Sequence, residues 1–553
     1  MMFNENYLQE KFNWNNRIFL LLLLLFFILR IFWCANFPMG NDEVYYWDWS
    51  RDLRLSYVDA PPFVAWLCYA GTLFFKNSLG ARFFVPIVHV LSTIFMIKSV
   101  FIFSKIKDIS IKNIHILYLL LLTECSPVFN IEGFMLLPDA SLLLGISGAL
   151  YFLLKFIYNT KYKIQNTKYK IQNTKYRFNL WHGFLLGLFL GIAALSKYHA
   201  FPIALGFFIA AIFIRKAKTL TQDFLFWVTS ILTAIVISSP VFIWNIQNNF
   251  ASFLFQSQHG FSGMSINLKT FIVYLIGSSF YLFPWFYIPL LFFGFRNIFN
   301  KKSVSDFSVI CTLPFFFLFI LISFPSFGKQ VLPHWVMPGF FLLIPAFVLQ
   351  WKPLEGKKKF LWKKVFILSV TLSIVLPTLF SLKFFNQFVM NSFIYFSGNA
   401  DPLAPVLQWP LLQEEFEKQK NIHLDSKPYV SEISQKNCAI HSYEIASLRW
   451  YWTARMAFHF KDHPRIFNFN LSQSSFYTWR DPLYKLAGCH FIILGSQGQF
   501  HEEEIQQIMN IEKIEYFSLK PFDGNKIIYV KGAMKDEAQL RKFYFKLKNN
   551  VNY

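Results

Sequence analysis

Charge is scarce in this chain, and negative charge is scarcer still. Only 15% of the 553 residues are charged, and 31 Asp and Glu stand against 53 Lys and Arg. Soluble domains average about 25% charged residues, so an ordinary soluble enzyme is excluded. Cysteine is also rare: there are six, without a CxxC pair or a His-rich spacing that would hold a metal. Four of them (Cys34, Cys68, Cys125, Cys311) lie in or near apolar runs and read as small buried hydrophobes. The sequence contains no GxxxxGK(S/T), no GxGxxG and no convincing Ser-His-Asp arrangement, so nucleotide-driven transport has no motif to stand on.

Apolar and aromatic residues fill the space that charge leaves. Hydrophobic residues make up 55% and aromatic residues 20%, with 71 Phe. This composition indicates a polytopic α-helical membrane protein. About eleven apolar runs are long enough to count as spans. They lie near 18–35, 82–103, 114–130, 138–157, 181–196, 199–214, 224–244, 269–293, 306–324, 335–350 and 365–384. The first lacks a small-x-small cleavage site and reads as an uncleaved anchor, with a signal peptide as the alternative.

The connections alternate in charge. Lys105, Lys107 and Lys112, then Lys161 through Arg177, then Arg215, Lys216 and Lys218, then Arg296, Lys301 and Lys302, then Lys352 through Lys364 form one basic set. The intervening loops are nearly free of Lys and Arg. Basic loops stay in the cytoplasm, which puts the N-terminus inside and both the loop 36–81 and the C-terminal region outside. The formal net charge of +22 is therefore topological, and nucleic acid is not an expected partner. A tandem NTKYKIQ, NTKYKIQ, NTKYRFN repeat at 159–179 falls in a basic loop and reads as a duplicated, solvated segment, too short and too polar for a coiled coil.

Residues 1–384 are thus expected to form a transmembrane domain and 385–553 a periplasmic α/β domain. In the latter, YVSEI, CAIHSY, RIFNFN, HFIILGS and KIIYVKG read as strands, and EEFEKQK, EIASLRWYW and EEEIQQIM as helices. Cys438 and Cys489 each open an expected strand there; in an oxidising compartment they are either a disulfide or two buried thiols.

The scarce acids gather in one place. GNDEVYYWDWSRDLRLSYVDAPPFVAWL at 40–67 holds Asp42, Glu43, Asp48, Asp52 and Asp59 with Arg51 and Arg54, beside Tyr45, Tyr46, Trp47 and Trp49. An acid at a membrane boundary is costly unless paired or functional. Asp42 is the expected catalytic carboxylate, with Glu43 beside it and Tyr45 and Trp47 as substrate contacts. SRDLRLSYVDAPP reads as a short interfacial helix carrying Trp47, Arg51 and Arg54 on one face. Three further outward segments supply candidates for substrate binding: Asp139 in LLPDASLL, Lys197 in LSKYHAF, and Lys329 with His334 in FGKQVLPHW. Bland readings exist for each: a helix-capping aspartate, a snorkelling lysine, a structural loop.

In this order, NDEVYYWDWSRDLRLSYVDAPPFVAWL, LLPDASLL, LSKYHAF and LPHWVMPGFFLLIPA resemble the GT-C class of membrane glycosyltransferases, in the bacterial branch related to protein O-mannosyltransferases and lipid A aminoarabinose transferases. DPLAPVLQWP at 401–410 and SQSSFYTW at 472–479 are similar to the same branch. The resemblance implies a polyprenyl-phosphate-linked sugar as donor, a glycolipid or protein hydroxyl as acceptor, and Asp42 as base. It implies no definite cofactor; a divalent metal stays open. The repeat at 159–179 and the CAIHSY segment depart from the pattern. A transporter of lipid-linked sugars is the alternative.

The charge alternation makes a direct prediction. A tag at residue 170 should be shielded from impermeant reagents in intact cells, while one near residue 450 should be labelled from the periplasm; the opposite labelling pattern would invert the topology.

Overall fold

The structure, a computed structural model, describes residues 15–159, 172–215, 223–261, 267–299, 308–327, 331–350, 357–397, 443–460, 462–470, 475–517 and 527–549. Lys329, Cys438, the strand expected at YVSEI, the helix expected at EEFEKQK, all but the last residue of CAIHSY, DPLAPVLQWP and most of the repeat lie outside these residues. The chain divides into two compact units. One comprises Met1–Ala35, Ala60–Gln247 and Gly263–Thr378; the other comprises Asn36–Asp59, Asn248–Ser262 and Leu379–Tyr553.

The first unit is a helical membrane bundle. Among the described residues, seven helices are long and apolar enough to cross a bilayer: Arg17–Asn36, Ser78–Lys107, Pro138–Tyr158, Phe224–Gln247, Val309–Phe327, Pro333–Gln350 and Trp362–Phe380. Asn113–Cys125, Leu180–Ser196 and Ala200–Ile214 are apolar but shorter. The described parts of all eleven expected stretches are mainly helical, while length and composition support seven crossings, or eight if Leu268–Leu282 and Pro284–Phe299 are one span. That pair is bent by 112°. The cause is local: Pro284 lacks an N–H and excludes the helical region for the residue before it, and Phe283 takes φ 62°.

Close packing rests on small residues. Gly183, Gly187 and Gly191 recur every fourth position on the helix Gln172–Ser196 and face Phe224–Gln247. A Cβ on Gly183 would stand 2.6 Å from the Phe226 carbonyl oxygen, and one on Gly187 would stand 2.3 Å from that of Ser230. Without a hydrophobic force between helices in lipid, such stripes let the backbones reach van der Waals contact.

Charge inside this bundle is paired. Arg30, fully buried, donates to the Glu124 carboxylate at 2.5 Å and to Asn130 Oδ1 at 3.3 Å. Thr93 Oγ1 donates to the other Glu124 oxygen at 2.6 Å, and His89 Nε2 lies 3.5 Å from the carboxylate. Asn130 then donates to the Ser373 carbonyl, and Ser373 Oγ to that of Cys125. One acid so ties together the helices Asn15–Asn36, Val85–Lys107, Asn113–Cys125 and Lys357–Phe380.

The second unit holds a five-stranded mixed sheet: β1 (Tyr443–Ser447), β2 (Phe467–Asn468), β3 (His490–Ser496), β4 (Met509–Phe517) and β5 (Ile527–Met534), in the order β2-β1-β3-β5-β4. β1 runs parallel to β2 and β3; β5 is antiparallel to β3 and β4. Its core includes Ala446, Phe491, Ile493, Ile528 and Val530. HFIILGS and KIIYVKG are strands as expected, and RIFNFN contains the short β2. EIASLRWYW is not one helix: YEIAS is β1, and a helix begins only at Trp450. Its apolar residues fit both periods, and the flanking strands decide, since β1 is sandwiched between them. EEEIQQIM likewise splits into a helix Glu502–Gln506 and the start of β4, a strand the sequence reading did not find. Cys489 is buried beside this sheet.

Removing Glu124 leaves Arg30 uncompensated. Glu124→Ala should lower stability by roughly 3–5 kcal/mol, read as a large fall in melting temperature in detergent. Removing the exposed partner of Arg541 by Glu537→Ala should leave it nearly unchanged.

Candidate active site

In the second unit the acid-rich stretch forms the helix Asn41–Ser50, not the helix expected over SRDLRLSYVDAPP. Gly40 starts it, and Glu43 accepts the Gly40 N–H at 2.7 Å. Asp42 and Glu43 in the first turn complement the positive end of the helix dipole. The helix stops at Arg51 because Tyr57 draws the chain back: its hydroxyl donates to the Trp49 carbonyl at 3.0 Å and accepts from the Arg54 N–H at 3.3 Å.

This helix places the candidates differently from one another. Asp42 is exposed, whereas Glu43 is buried. Tyr45 is buried among Trp49, Trp450 and Tyr477, with ring centres 5.1, 4.8 and 5.6 Å away. Its hydroxyl donates to Asp59 at 2.7 Å and accepts from the Phe476 N–H at 2.9 Å. Burial pushes the Asp59 carboxyl up to about 6. Trp47 packs edge-on against Phe458 at 5.0 Å and beneath the Arg51 guanidinium at 5.0 Å. Arg51 also donates to the His463 carbonyl at 2.7 Å, and Arg54 to Asp52 at 2.7 Å. Asp48, fully buried, bridges Arg51 at 3.1 Å and Arg480 at 2.9 Å. The sequence singled out Arg51 and Arg54 for their charge; here both carry structural acceptors. It could not have found Arg480, 432 positions from its partner.

The first unit assembles a second set. Asp139 lies in the first turn of the helix Pro138–Tyr158, after the N-cap Leu137. Its carboxylate does not cap that helix; both oxygens accept from Lys197 Nζ, at 2.8 and 2.9 Å. Lys197 therefore does not simply snorkel: it follows the helix Gln172–Ser196 and is only 14% exposed at its side chain. His334 sits in the turn Pro333–Val336, 6.0 Å from the Tyr281 ring. His199 lies edge-on to Trp335 at 6.0 Å. Asp139 feels the charges of Lys197, His334 and His199 together. Glu132 joins them: burial first, then the Asp139 charge, push its carboxyl well above the usual carboxylate range, against the opposing pull of Lys197. Burial and Lys197 hold the His199 imidazole down at about 3, so it is neutral. Glu132 precedes Asp139 in the connection before the helix Pro138–Tyr158 and His199 lies two residues after Lys197, but the sequence did not bring the four together. Among the described residues no group of three or more His, Cys, Asp or Glu could hold a metal ion.

Comparisons with known proteins agree on the class. Residues 59–244 match the family model described as dolichyl-phosphate-mannose-protein mannosyltransferase. The chain is 23% identical over 373 residues to the lipid A galacturonosyltransferase RgtD of Rhizobium johnstonii, covering 66% of this chain and 70% of that one. Its fold resembles the crystal structures of ArnT from Cupriavidus metallidurans in the apo state, with a TM-score of 0.55, and bound to undecaprenyl phosphate, with a TM-score of 0.54. Each resemblance is at 12% identity and covers 93% of this chain and 97% of the other. These similarities support a multi-pass membrane glycosyltransferase with a GT-C-like fold.

The Asp59 contact predicts a pH dependence. Asp59 is harder to ionise when folded, about 6 against an ordinary 3.8. It therefore favours the fold most at low pH, and this contribution is lost as pH rises from about 4 to about 6. Asp59→Asn keeps an acceptor for Tyr45 and removes the ionisation, so stability of the full chain in detergent should lose that slope.

Proposed function

We propose that this chain moves a sugar from a polyprenyl-phosphate donor to an envelope glycolipid of the lipid A type, or to a protein hydroxyl, at the periplasmic face of the inner membrane. The observation that carries this reading is the buried Lys197–Asp139 pair, set in a fold shared with a structure that binds undecaprenyl phosphate. The similarity to a lipid A galacturonosyltransferase supports the glycolipid acceptor. The N-terminus is cytoplasmic and residues 385–553 are periplasmic, on the charge alternation of the loops.

The chemistry is a single displacement. The acceptor hydroxyl attacks the anomeric carbon; its bond to the phosphate oxygen breaks, the lipid phosphate departs with the electron pair, and the anomeric centre inverts. A carboxylate takes the hydroxyl proton as the new bond forms. Asp42 fills that role, since Glu43 is engaged with the Gly40 N–H. The leaving phosphate needs a cation, and Lys197 supplies it as a point charge held in place by Asp139. His334 borders this pair electrostatically. Lys329 belongs to the same outward segment and is assigned to substrate binding. Tyr45, Trp47, Arg51 and Arg54 shape the helix that presents Asp42. A carrier of lipid-linked sugars is less well supported, because the similar proteins are transferases.

Transfer from labelled undecaprenyl-phosphate sugar in membranes tests the assignment. Asp42→Asn should lower the rate by about 10²–10⁴-fold with donor binding retained. Glu43→Gln, which keeps an acceptor for Gly40, should cost far less. Near-wild-type transfer by Asp42→Asn would remove Asp42 as base.

A further inference from the structure

Two buried polar atoms beside the Lys197–Asp139 pair lack partners. Glu132 is 2% exposed, and its Oε2 has no hydrogen-bond partner among the described residues. The same holds for His199 Nε2, which is buried. Leaving such groups unsatisfied costs about 1–3 kcal/mol each, so orphans of this kind mark a place where a ligand or water belongs. They stand in one cluster: Glu132 interacts with both Asp139 and Lys197, and His199 with the same two residues and with His334.

The chemistry of the orphans restricts the ligand. Lys197 already has its counter-charge in Asp139. Glu132 resists ionisation through burial and the Asp139 charge, and His199 is neutral. What remains is an uncharged O–H donor and a neutral imidazole nitrogen set beside a compensated ion pair. These two groups add no counter-charge for a phosphate, which Lys197 alone supplies. A hydroxyl, which both donates and accepts, satisfies each group.

We propose that Glu132 and His199 form a subsite that hydrogen-bonds ring hydroxyls of the donor sugar, next to the cation that holds the lipid phosphate. This inference rests on the donor assignment made above. It makes the two residues specificity determinants for the sugar and leaves phosphate binding to Lys197.

Two probes test it on the full chain in detergent: undecaprenyl phosphate, and the same lipid phosphate carrying glucose. The wild type should bind the glucose-bearing lipid about tenfold more tightly than the bare one. Glu132→Ala and His199→Phe should each erase this increment while leaving affinity for the bare lipid phosphate within about twofold. Glu132→Gln, which still offers a neutral donor and acceptor, should keep it. Lys197→Ala should weaken both probes alike. Where Glu132→Ala fails to fold, His199→Phe and Glu132→Gln decide. Equal affinity of the wild type for both probes, or an equal loss for both in Glu132→Ala or His199→Phe, overturns the subsite while the lipid-phosphate donor stands. Failure of the wild type to bind either probe overturns the donor assignment and the subsite with it.

Discussion

A charge inside this molecule must find its counter-charge within the molecule. Lipid offers no hydration, and an uncompensated ion in a low-dielectric interior costs several kcal/mol. The buried acids obey that constraint in two ways. Glu124 is matched by Arg30 and bonded by Thr93, and Asp139 is matched by Lys197. Glu132, with no cation of its own, answers with a carboxyl that burial and the Asp139 charge push well above the usual range. Each solution fixes helices: the Arg30–Glu124 network ties four of them, and the Asp139–Lys197 pair locks the start of one helix to the end of another.

The same constraint bears on the proposed role of Lys197. A cation held against its partner can take up the growing negative charge of a leaving phosphate without reorganising. Lys197 is held by two short contacts to the Asp139 carboxylate. In the second unit the logic is structural. Asp48 bridges two arginines, and Asp59 accepts from Tyr45, so the helix that carries Asp42 is pinned along its length while Asp42 itself is exposed. Rigid support behind an accessible carboxylate is what the proposed role of Asp42 as base requires.

Much of this was legible from composition and pattern. The described parts of all eleven apolar stretches are mainly helical, because period and run length report on burial in lipid, while seven or eight are long and apolar enough to cross. HFIILGS is β3 to the residue. Failures came where a short segment fits two periods, as in EIASLRWYW, or where a proline breaks a run that reads as continuous, as at Phe283-Pro284. The helix expected after Ser50 lies before it, because Tyr57 reaches back to Trp49 and no local propensity encodes that return.

The sequence by itself determined the class: a membrane bundle with alternating basic connections and acids gathered in one short stretch. It also named Asp139, Lys197 and His334 as separate candidates. Only the tertiary structure decided that Lys197 Nζ meets both oxygens of Asp139 across 58 positions, and that Glu132 and His199 share their field. The division has a physical reason. Hydropathy and charge are properties of each residue and survive in one dimension, whereas pairing, desolvation and an orphaned hydrogen-bonding atom exist only once distant segments share a volume.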